Sequence, residues 1–313
     1  MPSNSLTLQS PWVQRFMAWV HERFALPNAL LFFILYATTA VVSRQTMHLR
    51  PLLHAYDVLG ALVTWSFFLT LRILDEHKDY SGDCLHHPER VLQQGLITLR
   101  DLRWIALLCV LMQVGFALVF DAHGAILIAW GIMATWTVLM TREFFIADWL
   151  TRHLTWYAIS HMLVMPLIVF WLARMAVPSI LPDTSLITLM LLAFASGFCF
   201  EITRKTKGPE EEQEGVDSYS KIFGPHLAAK VIMGLVSGML LLQSALLLEL
   251  FPQLPLWMLG LIIASWAMAL RQVHHYQNNP SSAQRKANEK AVAMNMLMGY
   301  GVIMAVCLTA HGT

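Results

Sequence analysis

Asp75, Asp79 and Asp83 recur every four residues, with Glu76 beside the first, in the stretch LRILDEHKDYSGDCLHHPERVLQQGLIT at residues 71–98. On a helix this spacing stacks the side chains on one face. Stacked carboxylates repel one another, so the pattern makes sense around a strongly positive partner. An all-oxygen donor set suits a hard cation such as Mg2+, which keeps several waters and bridges to phosphate oxygens. Gly82 is expected to end the helix and leave Asp83 in the following loop. The plain alternative is a solvated helix end rich in charge.

A second acidic group shifts the balance. Glu201, Glu210, Glu211, Glu212, Glu214 and Asp217 lie in one later connection. Each group begins where an apolar segment ends and closes in a Gly-containing stretch, Gln94 to Thr98 in one and Ile222 to Gly224 in the other. The two look like a weak internal repeat, forming carboxylate walls that face one another across a cavity mouth. Cations accompany both: Lys78 and Arg90 in the first, Arg204, Lys205, Lys207 and Lys221 in the second. Carboxylates mixed with Arg and Lys suit a diphosphate, which takes Mg2+ on some oxygens and basic groups on others. Arg72 lies one turn before Asp75 within apolar sequence, where an arginine is costly unless it faces a polar cavity or snorkels to the interface. Phe68, Phe194 and Phe198 fall on the faces above these groups. An aromatic-lined tunnel there would hold an isoprenoid tail and stabilise an allylic cation, although each ring taken singly is more simply read as packing.

The elements that position these residues must cross a membrane. The chain is 57% hydrophobic and only 13% charged, and its mean hydropathy is +0.54. A soluble domain is about 25% charged. Nine apolar segments of spanning length are expected, at about 27–45, 55–74, 104–120, 122–141, 154–175, 184–203, 227–249, 255–273 and 291–310. The third and fourth are separated only by the turn Asp121 to Gly124. Apart from Arg44, Arg50, Arg72 and Arg174, every Lys and Arg lies on one side of this topology. The positive-inside rule puts that side, with the N-terminus and both acidic loops, in the cytoplasm. Residues 1–26 read as an amphipathic interfacial helix, with Trp12, Phe16, Trp19 and Phe24 set against Arg15, His21, Glu22 and Arg23. Residues 27–313 read as a single all-α polytopic domain, nine transmembrane helices around a central cavity. The net charge of +1 gives no reason to expect a nucleic-acid partner. The four cysteines lack the spacing of disulfides or zinc ligands, and His86–His87 and His274–His275 read as loop or interface histidines.

Asp75-Glu76-His77-Lys78-Asp79-Tyr80-Ser81-Gly82-Asp83 resembles the first aspartate-rich motif, NDxxDxxxD, of the UbiA superfamily of intramembrane prenyltransferases. Arg90-Val91-Leu92-Gln93-Gln94-Gly95-Leu96-Ile97-Thr98 resembles that family's RPLxxGxIS stretch. Nine helices and a two-fold repeat of acidic loops on one face are similar to the family as well. The second motif, DxxDxxxD, departs: Glu201 takes its first position, while Arg204 and Gly208 occupy the next two. Residues 215–224 resemble the GxxT…G stretch that closes the family's loop. The fourth-to-fifth connection, where many members carry YxxxK, offers only Arg142.

The resemblance implies an enzyme that binds an isoprenyl diphosphate through two Mg2+ ions, ionises it, and transfers the prenyl group to a hydrophobic acceptor, aromatic or lipid. The first metal set is then Asp75, Asp79 and Asp83. The second is Glu201 with one of Glu210, Glu211 or Glu212. Arg72, Lys78, Arg90, Arg204, Lys205 and Lys221 are expected on the diphosphate, with Arg72, Asp75 and Asp79 central to catalysis. Some members of the superfamily cyclise the chain instead, and the departures in the second motif keep a terpene cyclase in view. A transporter is the non-enzymatic alternative. It is disfavoured because the ionisable residues cluster at one face rather than the midplane.

Overall fold

The computed structural model describes residues 6–24, 29–214, 217–252 and 256–309. Its elements are α-helices: α1 (Trp12–Arg23), α2 (Ala29–Thr46), α3 (Ala55–His86), α4 (Leu99–Phe120), α5 (Ala125–Thr141), α6 (Ala147–Thr151), α7 (Leu154–Met162), α8 (Val164–Ala176), α9 (Thr184–Arg204), α10 (Tyr219–Phe223), α11 (Pro225–Leu250), α12 (Leu256–Asn278) and α13 (Ser282–Thr309). Short 3-10 turns at Glu143–Phe145 and Pro209–Glu211 complete the set. Over its described residues each of the nine expected apolar segments coincides with a helix, except that the fourth begins in the turn at 122–124. Seven helical segments are long and apolar enough to cross a membrane, α7 and α8 together counting as one. The chain is an integral, multi-pass membrane protein.

Local chemistry sets the helix ends. Thr98 and Asp101 form a reciprocal capping box at the start of α4. The Asp183 side chain accepts the Leu186 amide at 2.9 Å to start α9. Asp121 accepts the amides of His123 and Ile126, at 3.0 and 2.8 Å, and so folds the tight α4–α5 hairpin. Two expectations change. Gly82 does not end its helix: α3 continues to His86, and Asp83 stays on the ladder below Asp75 and Asp79. Arginines reaching in from elsewhere offset the charge of the lengthened ladder. The fifth span is broken at Leu163 into α7 and α8. Pro166 gives the reason, since it lacks an amide hydrogen for the Met162 carbonyl and its ring crowds that group.

Neighbours in sequence pack as neighbours in space, as short connections require. Contacts run α2–α3–α4–α5–α8–α9–α11–α12–α13, and α13 returns to α2 to close the ring. Inside it α2 also touches α8 and α9, and α13 touches α9. Tyr36, Trp171, Leu189 and Ile303 are all buried in this core. A second, smaller core forms where α1 lies across the connection after α3. There Trp19 and Val20 pack against Val91, Leu92, Ile97 and Ile73. Apolar side chains on the outer faces of α4 and α5, such as Leu108, Val119 and Ile128, are exposed, as helices solvated by lipid require.

Candidate active site

The long α3 carries the first acidic ladder past the end of its apolar stretch. Asp75 and Asp79 are exposed, one turn apart. Among the described residues neither carboxylate makes a hydrogen bond or ion pair. Their neighbours on the ladder are engaged. Glu76 is buried at 1% exposure. One of its oxygens accepts from Arg23 at 2.6 Å and from Arg72, and the other has no partner among the described residues. Asp83 pairs with Arg90 at 2.6 Å and with Arg23 at 3.4 Å. Arg23 is delivered by α1, so the N-terminal helix helps to neutralise the ladder.

The second acidic group starts at the end of α9. Glu201 is held by two cations, Arg204 at 2.8 Å and Lys205 at 3.0 Å. Tyr157 on α7 joins the two groups. Its ring lies 5.1 Å beneath the ammonium of Lys78 and 5.1 Å beneath that of Lys205. Both distances are within cation–π range. Its hydroxyl accepts from Lys78 at 2.8 Å. Arg204 is within electrostatic reach of Asp75 across the gap. The ends of α3 and α9 therefore stand on the same side of the bundle and share one gap, with two free carboxylates and several cations around it.

Other expected residues go elsewhere. Both oxygens of Glu211 are engaged, by Arg285 at 2.8 and 3.1 Å and by the Gly208 amide at 3.1 Å. Glu212 accepts from Ser218 at 2.7 and 2.8 Å and from Ser220 at 2.6 Å. The Lys221 ammonium donates to the Gln213 carbonyl at 3.2 Å. These contacts fasten the loop. Phe194 and Phe198 stack at 5.7 Å on α9, and Phe68 stacks on Phe32 at 3.9 Å.

The connection after α5 supplies a residue that sequence reasoning missed. Glu143, not the exposed Arg142, reaches the first motif, pairing with Lys78 at 2.7 Å. Glu143, Phe144 and Phe145 have φ of 48°, 53° and 60°. Three consecutive left-handed residues without glycine are strained, at about 1–2 kcal/mol each. Packing holds the turn, with the Phe144 ring edge-on to Trp136 at 5.2 Å and to His161 at 6.1 Å. His161 stacks on Tyr157 at 4.0 Å. Trp136 also lines an apolar groove of about 730 Å³ between α5 and the α7–α8 break. Tyr157 and Glu143 were missed because neither belongs to an acidic repeat. The only signal was the short polar connection itself.

Among the described residues no three His, Cys, Asp or Glu side chains converge as a metal cage. Asp75 and Asp79 nevertheless fit Mg2+, which binds through one or two carboxylates and takes its remaining oxygens from water and phosphate. Among the described residues, Glu201, Glu211 and Glu212 are each held by other partners and offer no equivalent free pair.

No protein-family model matches the sequence, and no curated protein matches it. Two solved structures are similar in fold. One is a digeranylgeranylglyceryl phosphate synthase, with a TM-score of 0.65 at 15% identity over 94% of this chain and 99% of that one. The other is the apo form of a UbiA homologue from Aeropyrum pernix K1, with a TM-score of 0.64 at 13% identity over 92% of this chain and 99% of that one.

Proposed function

We propose that this chain, which has the fold of UbiA-type membrane proteins, ionises an isoprenyl diphosphate and transfers its prenyl group to a hydrophobic acceptor, aromatic or lipid. The observation that carries the reading is the pair of free carboxylates, Asp75 and Asp79, beside Lys78, Arg204 and Lys205 from two helix ends. A diphosphate is the ligand class that uses both kinds of group at once. Mg2+ held by Asp75 and Asp79 would draw charge from the phosphate oxygens. Lys78, Lys205 and Arg204 bind the remaining oxygens and stabilise the negative charge that develops as the C–O bond breaks. Arg72, tied to Glu76, adds positive potential at the rim. Arg90 acts further out, by holding Asp83 in place. The aromatic faces of Phe68, Phe194 and Phe198 suit the tail and the allylic cation. The concentration of Lys and Arg on this side supports a mouth facing the cytoplasm. The name of one similar structure, a digeranylgeranylglyceryl phosphate synthase, favours a lipid acceptor.

Intramolecular cyclisation is the second reading, favoured by Arg204 and Gly208 standing where the second motif calls for acids. One experiment separates the two. The purified protein is given geranyl, farnesyl and geranylgeranyl diphosphates with Mg2+, with and without glyceryl phosphate lipid or an aromatic acceptor. Diphosphate release that needs the acceptor supports transfer; a cyclic hydrocarbon or alcohol without acceptor supports the cyclase. Turnover that survives EDTA, or Asp79→Asn retaining near-normal turnover, sinks both. Asp79 has no protein partner among the described residues, so Asp79→Asn is expected to fold normally and lose roughly 10²-fold or more in rate.

A further inference from the structure

We infer that the second acidic wall holds no metal ion, and that Arg204 and Lys205, fixed on Glu201, supply positive charge there in its place. The site then takes one divalent cation per chain. This rests on the diphosphate reading above and goes beyond it.

Each acid expected in a second metal set already has protein partners among the described residues, Glu210 accepting the Ser282 amide at one oxygen. The two oxygens of Glu201 go to Arg204 and Lys205, those of Glu211 to Arg285 and the Gly208 amide, and those of Glu212 to Ser218 and Ser220. Asp75 and Asp79 stand in contrast, unpaired among the described residues. A carboxylate at position 208 has no room, because a Cβ on Gly208 would run into the backbone of Ser281 and Ser282. That close approach follows from the clasp of this loop on the α12–α13 connection, where the Tyr276 hydroxyl donates to the Lys207 carbonyl at 2.5 Å. A divalent ion drawn to Glu201 would have to displace two cations and then sit beside them, and like charges disfavour that. The cations are also placed for the task. Lys205 stands over the same Tyr157 ring as Lys78, from the opposite wall. A basic group on each wall thus faces the gap where the phosphates would lie.

The test uses the full chain in detergent, with Mn2+ and inorganic diphosphate as probes. Equilibrium dialysis counts bound Mn2+, and electron paramagnetic resonance reads its environment. With saturating diphosphate, one Mn2+ per chain is expected, lost in Asp79→Asn and retained in Glu201→Gln. Arg204→Ala should keep that Mn2+ but weaken diphosphate binding tenfold or more. Two Mn2+ per wild-type chain, or a count that falls in Glu201→Gln, overturns the inference while leaving the diphosphate site standing. Unchanged diphosphate affinity in Arg204→Ala overturns the role given to that residue. Failure of the wild-type chain to bind either probe overturns the diphosphate reading and this inference with it. The wild-type count is decisive even if a variant does not fold.

Discussion

Tyr157 is the side chain through which the two acidic ends meet. It offers a face to two ammonium groups and a hydroxyl to one of them. Tyr157→Phe removes only the hydroxyl and is expected to weaken inorganic diphosphate binding about threefold. Tyr157→Ala removes the platform beneath both lysines. At about 0.5–1 kcal/mol per cation–π contact, the loss should approach tenfold. Calorimetric titration with Mg2+ present checks both, and equal affinity for the two variants would sink the platform role. The stacking of Asp75 and Asp79 one turn apart on a helix was legible in the sequence because a four-residue spacing is a local signal. Tyr157 was not, since its bond to Lys78 spans 79 positions and depends on how α7 packs. The pairing of Arg72 with Glu76 rather than Asp75 was likewise a matter of geometry: i to i+4 wins over i to i+3 here.

Helix ends show where local rules hold and where packing overrides them. Thr98 and Asp183 cap their helices as their residue types favour. Gly82 reads as a stop, yet α3 passes through it to His86, and Arg23 and Arg90 pair with Asp83 beyond it. The left-handed turn at Glu143–Phe145 carries no glycine to announce it. It persists because Lys78 holds Glu143 from one side and Trp136 packs on Phe144 from another. The turn at Pro209–Glu211 is pinned by Glu211. Burial opposes ionisation of this acid, but hydrogen bonds from Arg285 and the Gly208 amide outweigh it and hold the carboxyl below its ordinary value. An acid depressed in the folded state stabilises the fold above its unfolded value, and that contribution is lost as pH falls through the native one. Wild-type protein should therefore melt higher than Glu211→Gln at neutral pH, and the gap should close below about pH 4.5, the ordinary value for glutamate. A gap that stays constant on acidification would show that the clasp is not ionic.

At the scale of the whole bundle, a buried ion pair lies far from the site. Arg44 at the end of α2 meets Asp57 at the start of α3 through two bonds, at 2.8 and 2.9 Å, with the Tyr36 hydroxyl donating to the same carboxylate. Asp57 and Asp75 are about 27 Å apart along α3 by helical rise. Asp57→Ala would strand a buried guanidinium, at a cost of about 3–5 kcal/mol. It should lower the melting temperature in detergent while leaving the turnover of the folded fraction intact. A parallel loss of activity would mean that the two ends are coupled. The all-helical, membrane-spanning plan was legible from hydropathy, because spanning length is a property of local sequence. The closure of α13 onto α2 was not, because it joins segments from the two ends of the chain. The contact of Arg23 with Glu76, 53 positions later, also bears on the order of synthesis. The arginine leaves the ribosome before the acids it serves, so a nascent chain can shield that charged helix end as soon as it emerges, before any of the later helices exist.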